Sequence, residues 1–231
     1  MKSNVIVELN KISKIYQQGK LQVTAVDNLT LRIEQGEFSA LYGPSGSGKT
    51  TVLNLIGALD KPSSGEVIIE GKKLAGMDRT ALSKLRRERI GFVFQAYNLV
   101  PVLTAYENAE FVLALQGVPL KKRRQSVMSI LDEVGLADLA DRRPDELSGG
   151  QQQRVAIARA IAPEPAIILA DEPTANVDSA TATGLLELME TLNRTKNITF
   201  LFSTHDQRVM DRARRLIELK DGKVSTNGAP R

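Results

Sequence analysis

Apolar and polar positions follow two different periods along this chain, and the change of period divides it. Residues 5–9 (VIVEL) and 31–33 (LRI) read as strands. GEFSALYG (36–43) is a short buried strand that runs straight into a glycine-rich loop. KTTVLNLIGAL (49–59) then takes helical character, and PSSG (62–65) ends it. EVIIEG (66–71) is strand-like with a turn at Gly71, DRTALSKLRRER (78–89) is a charged helix, and IGFVFQ (90–95) is a strand.

After Gln95 the character changes, and from about residue 104 to 161 no strand is expected. Within KKRRQSVMSILDEVG, the residues Val127, Ile130, Leu131 and Val134 recur at helical spacing and make one apolar stripe. Strands return at AIILA (166–170) and ITFLFS (198–203), separated by a helix at about 179–195; this β-α-β order belongs to parallel sheets. IELKDGKVS (217–225) centres on Asp221-Gly222, a hairpin signal. The expected class is α/β: one domain with its core at about 1–95 and 162–231, interrupted by an all-helical subdomain at about 96–161.

Composition narrows the function. A chain of 231 residues with 42% apolar and 25% charged residues is an ordinary globular protein with material for a sizeable core. Its net charge of +4 suits an anionic ligand or an acidic membrane surface, but is too small to argue for nucleic acid. Aromatics make up 4% and Trp is absent, so base-stacking surfaces are not expected and no nucleic-acid partner is assigned. The lack of cysteine excludes disulfides, thiolate metal sites and cysteine nucleophiles. Glu8 and Asn10 interrupt the N-terminal apolar run, so no secretory signal is expected. No run of 18 apolar residues exists to span a membrane, and a cytoplasmic position, with peripheral membrane attachment left open, is the expectation.

The first chemical signal is GPSGSGKT, which fits G-x-x-x-x-G-K-[ST] as Gly43, Pro44, Ser45, Gly46, Ser47, Gly48, Lys49 and Thr50, followed by Thr51. Glycines let backbone N–H groups turn inward around phosphate oxygens, and the next helix points its positive end at the same place. Lys49 would reach the β- and γ-phosphates and Thr50 would ligate Mg²⁺. The second signal is AIILADEP (166–173), a buried strand ending in two carboxylates. Asp171 would bind Mg²⁺ through water, and Glu172 would take a proton from the water that attacks the γ-phosphate.

The third signal is LSGGQQQRVAIARAI (147–161), a helix capped by Ser148 whose first turn holds Gly149, Gly150 and Gln151. Bare N–H groups there make another anion site. One nucleotide does not need two such sites from one chain if they lie on separate subdomains. A head-to-tail homodimer resolves this: each ATP sits between one chain's phosphate loop and the other chain's Ser148-Gly149-Gly150.

LSGGQ together with the phosphate loop resembles the ATP-binding-cassette family, the nucleotide-binding subunits of ABC transporters. The resemblance covers nearly the whole chain and keeps the family's motif order. It implies a P-loop NTPase (RecA-like) core with a small antiparallel β subdomain and an inserted helical subdomain, hydrolysing ATP with Mg²⁺. It also implies that Tyr16 stacks on adenine, that Gln95 touches Mg²⁺ and senses a transmembrane partner, that Asp178 lies at the dimer interface, and that His205, the sole histidine, contacts the γ-phosphate. His205 follows the strand ITFLFS, which favours a site role over a structural one; Tyr16 is also compatible with a core position. Ala175-Asn176-Val177 departs mildly from the family's usual D-loop.

Two biological readings compete: the motor subunit of a membrane transporter, and a soluble cassette ATPase of the DNA-repair or ribosome type. The latter usually carries a coiled coil, zinc motifs or a second cassette, and a bare cassette favours transmembrane permease subunits as partners on the inner face of the membrane. AYNLVPVL (96–103) is apolar for a loop and either helps form a groove for a helix of that partner or fills the helical subdomain's own core. IGFVFQAYNLVPVLTAYENAEF and LSGGQQQRVAIARAI are similar to the lipoprotein-releasing and macrolide-exporter ATPases, together with the cell-division and peptide-resistance cassettes, which implies export or periplasmic mechanical work. The cargo stays open, and an importer is not excluded.

Overall fold

The computed structural model describes residues 4–19 and 21–228. Two long strands, β1 (Val5–Gln18) and β2 (Leu21–Glu34), pair antiparallel, and β1 also pairs with β4 (Ser64–Ile69), which continues to the two-residue β5 (Lys72–Lys73). These four strands form one sheet in the order β2-β1-β4-β5. The strands expected at 5–9 and 31–33 are thus the ends of much longer ones. Bulges between Leu9 and Ile12 and between Ile12 and Lys14 break the apolar alternation, so the pattern hides the rest of β1.

The second sheet has six strands in the order β10-β9-β3-β8-β7-β6. Its members are β3 (Phe38–Tyr42), β6 (Ile90–Val93), β7 (Ile167–Asp171), β8 (Thr199–Thr204), β9 (Arg215–Lys220) and β10 (Lys223–Asn227). All neighbours are parallel except the β9-β10 hairpin. Every residue of β8 is buried, as a central parallel strand demands.

Side-chain alternation sends each strand's residues to two separate cores. Leu41, Leu169, Leu201 and Ile217 face helix α1 (Lys49–Ile56) and the antiparallel sheet. Phe38, Phe200, Phe202 and Ile168 face the helical layer. That layer comprises α3 (Ala105–Leu115), α4 (Leu120–Glu133), α5 (Gly149–Ile161) and α6 (Ser179–Lys196), while α2 (Arg79–Arg89) precedes β6 and α7 (Gln207–Arg212) follows β8. No strand interrupts residues 96–161, and the stripe Val127, Ile130, Leu131 and Val134 is buried as its spacing requires. Helix α1 is shorter than the expected 49–59: Gly57 closes it and Ala58 turns left-handed at φ 52°.

Candidate functional site

The site lies where β3, β7 and β8 end, at the carboxyl edge of the parallel sheet, where open α/β sheets place their ligands. β3 hands the chain at Tyr42 to the loop 43–48, and α1 starts at Lys49. Gly48 has φ 103°, and a Cβ there would stand 2.3 Å from the Ala25 carbonyl oxygen, so no other residue fits. The Ser47 N–H donates to the Pro44 carbonyl at 3.2 Å, and the Ser47 carbonyl accepts from the Gly222 N–H at 3.1 Å, clamping the loop against the β9-β10 turn. Ser45, Gly46, Gly48, Lys49, Thr50 and Thr51 line a cavity of about 540 Å³, completed by Ala25, Gln95, Glu172, Ser203 and His205.

Lys49 is buried, and its ammonium donates to the Gly43 and Pro44 carbonyls at 2.8 and 3.0 Å. These are neutral partners, so its charge stays available to an anion in the loop. Buried Ser47 Oγ and Ser203 Oγ find no partner among the described residues, which fits a site built to receive polar atoms. Unpartnered hydroxyls, a cation and a helix N-terminus converge on one place, a phosphate-type anion site.

Facing it, the Asp171 carboxylate accepts from the Thr50 hydroxyl at 3.2 Å. Glu172 turns out of β7 at φ 45°, a left-handed conformation rare for a carboxylate residue. Its backbone N–H donates to the Ser203 carbonyl at 2.9 Å, its Oε2 accepts from the Thr204 hydroxyl at 3.2 Å, and its Oε1 lies 2.7 Å from His205 Nδ1. Gln95 reaches the cavity from two residues beyond β6, which ends at Val93 rather than at the expected residue 95. The Thr50 hydroxyl, the Asp171 carboxylate and the Gln95 amide are hard oxygen donors and fit Mg²⁺, which takes its other ligands from phosphate and water. Among the described residues no cluster of three or more His, Asp or Glu could hold a metal by itself.

Ser148 caps α5 as its sequence suggests: its Oγ accepts from the Gln151 N–H at 3.3 Å, and the Gln151 side-chain oxygen accepts from the Ser148 N–H at 2.8 Å. The two glycines have a packing reason that the sequence does not reveal. A Cβ at Gly149 would lie 2.8 Å from the Tyr97 hydroxyl, and one at Gly150 would lie 2.3 Å from Thr181 Cγ2. None of Ser148, Gly149, Gly150 and Gln151 lines the phosphate-loop cavity. Asp178 caps α6, accepting from the Thr181 hydroxyl and from the N–H groups of Thr181 and Ala180. The Thr181 hydroxyl above all holds its carboxyl below the usual range.

Several linking residues escape the motif reading. The Tyr97 hydroxyl donates to the Asn176 carbonyl at 3.0 Å, and the Asn176 amide donates to the Gln95 carbonyl at 2.9 Å. Arg159 donates to the Tyr97 carbonyl at 2.8 Å and also to the Asn98 carbonyl, and burial pulls its pKa down. Gln153, fully buried, donates to the Pro173 carbonyl at 2.6 Å. A lone arginine in AIARAI and a glutamine facing the core were the available signals. Tyr16 is absent from the cavity lining; it stands beside Thr51, with its hydroxyl donating to Asp60 at 2.8 Å.

A second cavity of about 380 Å³ lies between the parallel sheet and the helices, lined in part by Phe92, Phe94, Phe111, Leu115, Arg86 and Arg159. From the segment 96–103 only Asn98 contributes to it, while Leu99 packs on the core. The groove's apolar wall therefore comes mainly from β6, from Phe94 just beyond it and from α3.

The fold and the phosphate loop define a P-loop nucleotide-binding protein. The chain belongs to the ABC transporter family, whose pattern matches residues 26–175, and it is an ATP-hydrolysing cassette of that family. It is 44% identical over 226 residues to the lipoprotein-releasing system ATP-binding protein LolD of Anaeromyxobacter dehalogenans, covering 97% of this chain and 95% of that protein. It is also 44% identical over 219 residues to the macrolide export ATP-binding/permease protein MacB of Hyphomonas neptunium, covering 95% of this chain but only 34% of that longer protein. A dimeric structure of the cassette MJ0796, in a post-hydrolysis state with ADP and Pi, superposes with a TM-score of 0.90 at 44% identity, covering 98% and 99% of the two chains. MJ0796 is from Methanocaldococcus jannaschii.

Proposed function

We propose that two copies of this chain close around two Mg-ATP, each ATP held by the phosphate loop of one copy and by Ser148, Gly149 and Gly150 of the other. One observation carries this reading: the phosphate-loop cavity contains no residue of 148–151, which leaves the start of α5 free to serve the nucleotide of another copy. The dimeric form of MJ0796 supports it. Lys49 holds the β- and γ-phosphates, Thr50, Asp171 and Gln95 hold Mg²⁺, and Glu172 accepts a proton from the attacking water. His205 contacts the γ-phosphate, Tyr16 carries the adenine, and Asp178 lies near the seam between copies.

The cycle of closure and hydrolysis drives transmembrane permease subunits, and the cassette sits peripherally on the inner face of the membrane. No helix among the described residues is long and apolar enough to cross a membrane. The groove of Phe92, Phe94, Phe111 and Leu115, rimmed by Arg86 and Arg159, suits an amphipathic helix with acidic residues at its edge. Likeness to LolD and MacB favours export or periplasmic mechanical work on a lipoprotein, lipid, peptide or drug.

Light scattering of Glu172→Gln with and without saturating Mg-ATP tests the dimer, which should form only with nucleotide. A variant that stays monomeric would overturn the composite site. Leu115→Asp, at a side chain 57% exposed, should keep ATPase activity yet stop a tagged chain from co-purifying a membrane protein from detergent extracts.

A further inference from the structure

Two segments, β1 and the turn after α1, meet around a cluster of which the nucleotide motifs assign only Tyr16. Tyr16 donates its hydroxyl to Asp60 Oδ2 at 2.8 Å. The Lys14 ammonium donates to Asp60 Oδ1 at 2.6 Å and to the Lys61 carbonyl at 2.8 Å, and lies 4.8 Å from the centre of the Tyr16 ring. The Lys61 N–H donates to Asp60 Oδ1 at 2.7 Å. The cluster is partly shielded: the Lys14 side chain is 13% exposed and that of Asp60 30%. Burial alone would raise the Asp60 carboxyl, yet the bonds from Lys14, Tyr16 and Lys61 bring it below the usual range.

The cluster also bridges two parts of the fold. Lys14 and Tyr16 belong to β1 of the antiparallel sheet, whereas Asp60 closes the turn after α1, the helix that grows from the phosphate loop. The backbone repeats the link: the Ser63 N–H donates to the Ser13 carbonyl at 2.8 Å, and the Ile15 N–H to Ser63 Oγ at 3.0 Å. Tyr16 is therefore tied directly to the element that fixes the phosphates. With Lys14 over one face of the ring, one face alone is free for a base, and a ring held at its hydroxyl loses little freedom when a base arrives.

We propose that Asp60 and Lys14 are positioning residues for the nucleotide base: they fix the plane and the free face of Tyr16 at a set distance from the phosphate loop. The inference rests on the reading of Tyr16 as the adenine platform and names the device that makes it one.

The test compares binding of ATP with binding of inorganic tripolyphosphate, which has the phosphates but no base, by calorimetry on the full chain with EDTA present. Asp60→Ala, Lys14→Met and Tyr16→Phe should each weaken ATP about three- to ten-fold and leave tripolyphosphate within about two-fold, the scale of one hydrogen bond or ring-cation contact. The double variant Tyr16→Phe/Asp60→Ala should be no worse than the poorer single one, because both changes cut the same bond. If Tyr16→Ala leaves ATP binding intact, the adenine reading itself fails. If Tyr16→Ala weakens ATP while Asp60→Ala and Tyr16→Phe do not, the platform stands and the positioning role is overturned. Equal losses for ATP and tripolyphosphate would overturn it too, by exposing a general structural defect.

Discussion

His205 Nδ1 lies 2.7 Å from Glu172 Oε1. A carboxylate oxygen accepts, so Nδ1 is the donor in this contact, on a side chain that is 74% exposed. Glu172 in turn is 15% exposed and braced on its other oxygen by Thr204. In the proposed mechanism Glu172 meets the water, and His205 and Thr204 hold its carboxylate in place through its two oxygens.

The first prediction separates these two roles. Glu172→Gln removes the proton acceptor and keeps the shape, so kcat should fall about 10²- to 10⁴-fold with ATP binding retained. His205→Ala should lower kcat as well, by freeing Glu172. Steady-state phosphate release, with ATP affinity measured separately, checks both. A His205→Ala enzyme with unchanged kcat would remove the histidine from the mechanism.

Composite sites predict rescue between dead copies. Lys49→Ala spoils the phosphate loop, and Ser148→Arg spoils the capping end of α5. Each alone should show negligible turnover. Mixed in equal amounts, half of the dimers are hybrids, and each hybrid holds one site in which an intact phosphate loop meets an intact Ser148. Activity should therefore return to a substantial fraction of wild type, read as phosphate release against mixing ratio. Mixtures as inactive as their components would mean that both elements serve within one chain.

Part of this architecture was legible in the sequence and part was not, for identifiable reasons. The phosphate loop, the Asp171-Glu172 pair and the parallel order of β7, α6 and β8 are local patterns, and the structure brings Lys49, Glu172, Gln95 and His205 to one cavity. The full length of β1 escaped because its bulges throw apolar residues out of step. Asp60 escaped because its partners Lys14 and Tyr16 stand 46 and 44 positions away, and no local pattern encodes such a pairing. In the sequence Gly150 signals only a bare helix start, whereas in the fold it also gives room to Thr181, a contact visible only in three dimensions.

That contact yields a prediction opposite in sign to helix propensity. Alanine in a helix is worth up to about 1 kcal/mol over glycine, so Gly150→Ala would stabilise an isolated α5. In the folded chain its methyl would sit 2.3 Å from Thr181 Cγ2, an overlap that should cost about 1–3 kcal/mol. Serine at 181 lacks that methyl and keeps the hydroxyl that Asp178 accepts from, so Gly150→Ala/Thr181→Ser should recover most of the loss. Urea unfolding of the two variants measures it.

Acid should weaken the fold through Asp206. Its carboxylate accepts from Arg208, from the Thr174 hydroxyl and from the Arg208 N–H, and the Arg208 guanidinium above all lowers its pKa from the ordinary 3.8 to about 2. A depressed folded pKa means that the unfolded chain binds the proton more readily. The stabilisation is therefore fully present above about pH 4 and is lost as the pH falls towards 2. The carboxyl is only partly shielded, so solvent screening limits the effect, and Asp206→Asn should cost about 1 kcal/mol at pH 7. Denaturation midpoints of wild type and Asp206→Asn should converge as the pH is taken from 5 to about 3, and a gap that stays constant over that range would show that the charge on Asp206 contributes nothing to stability.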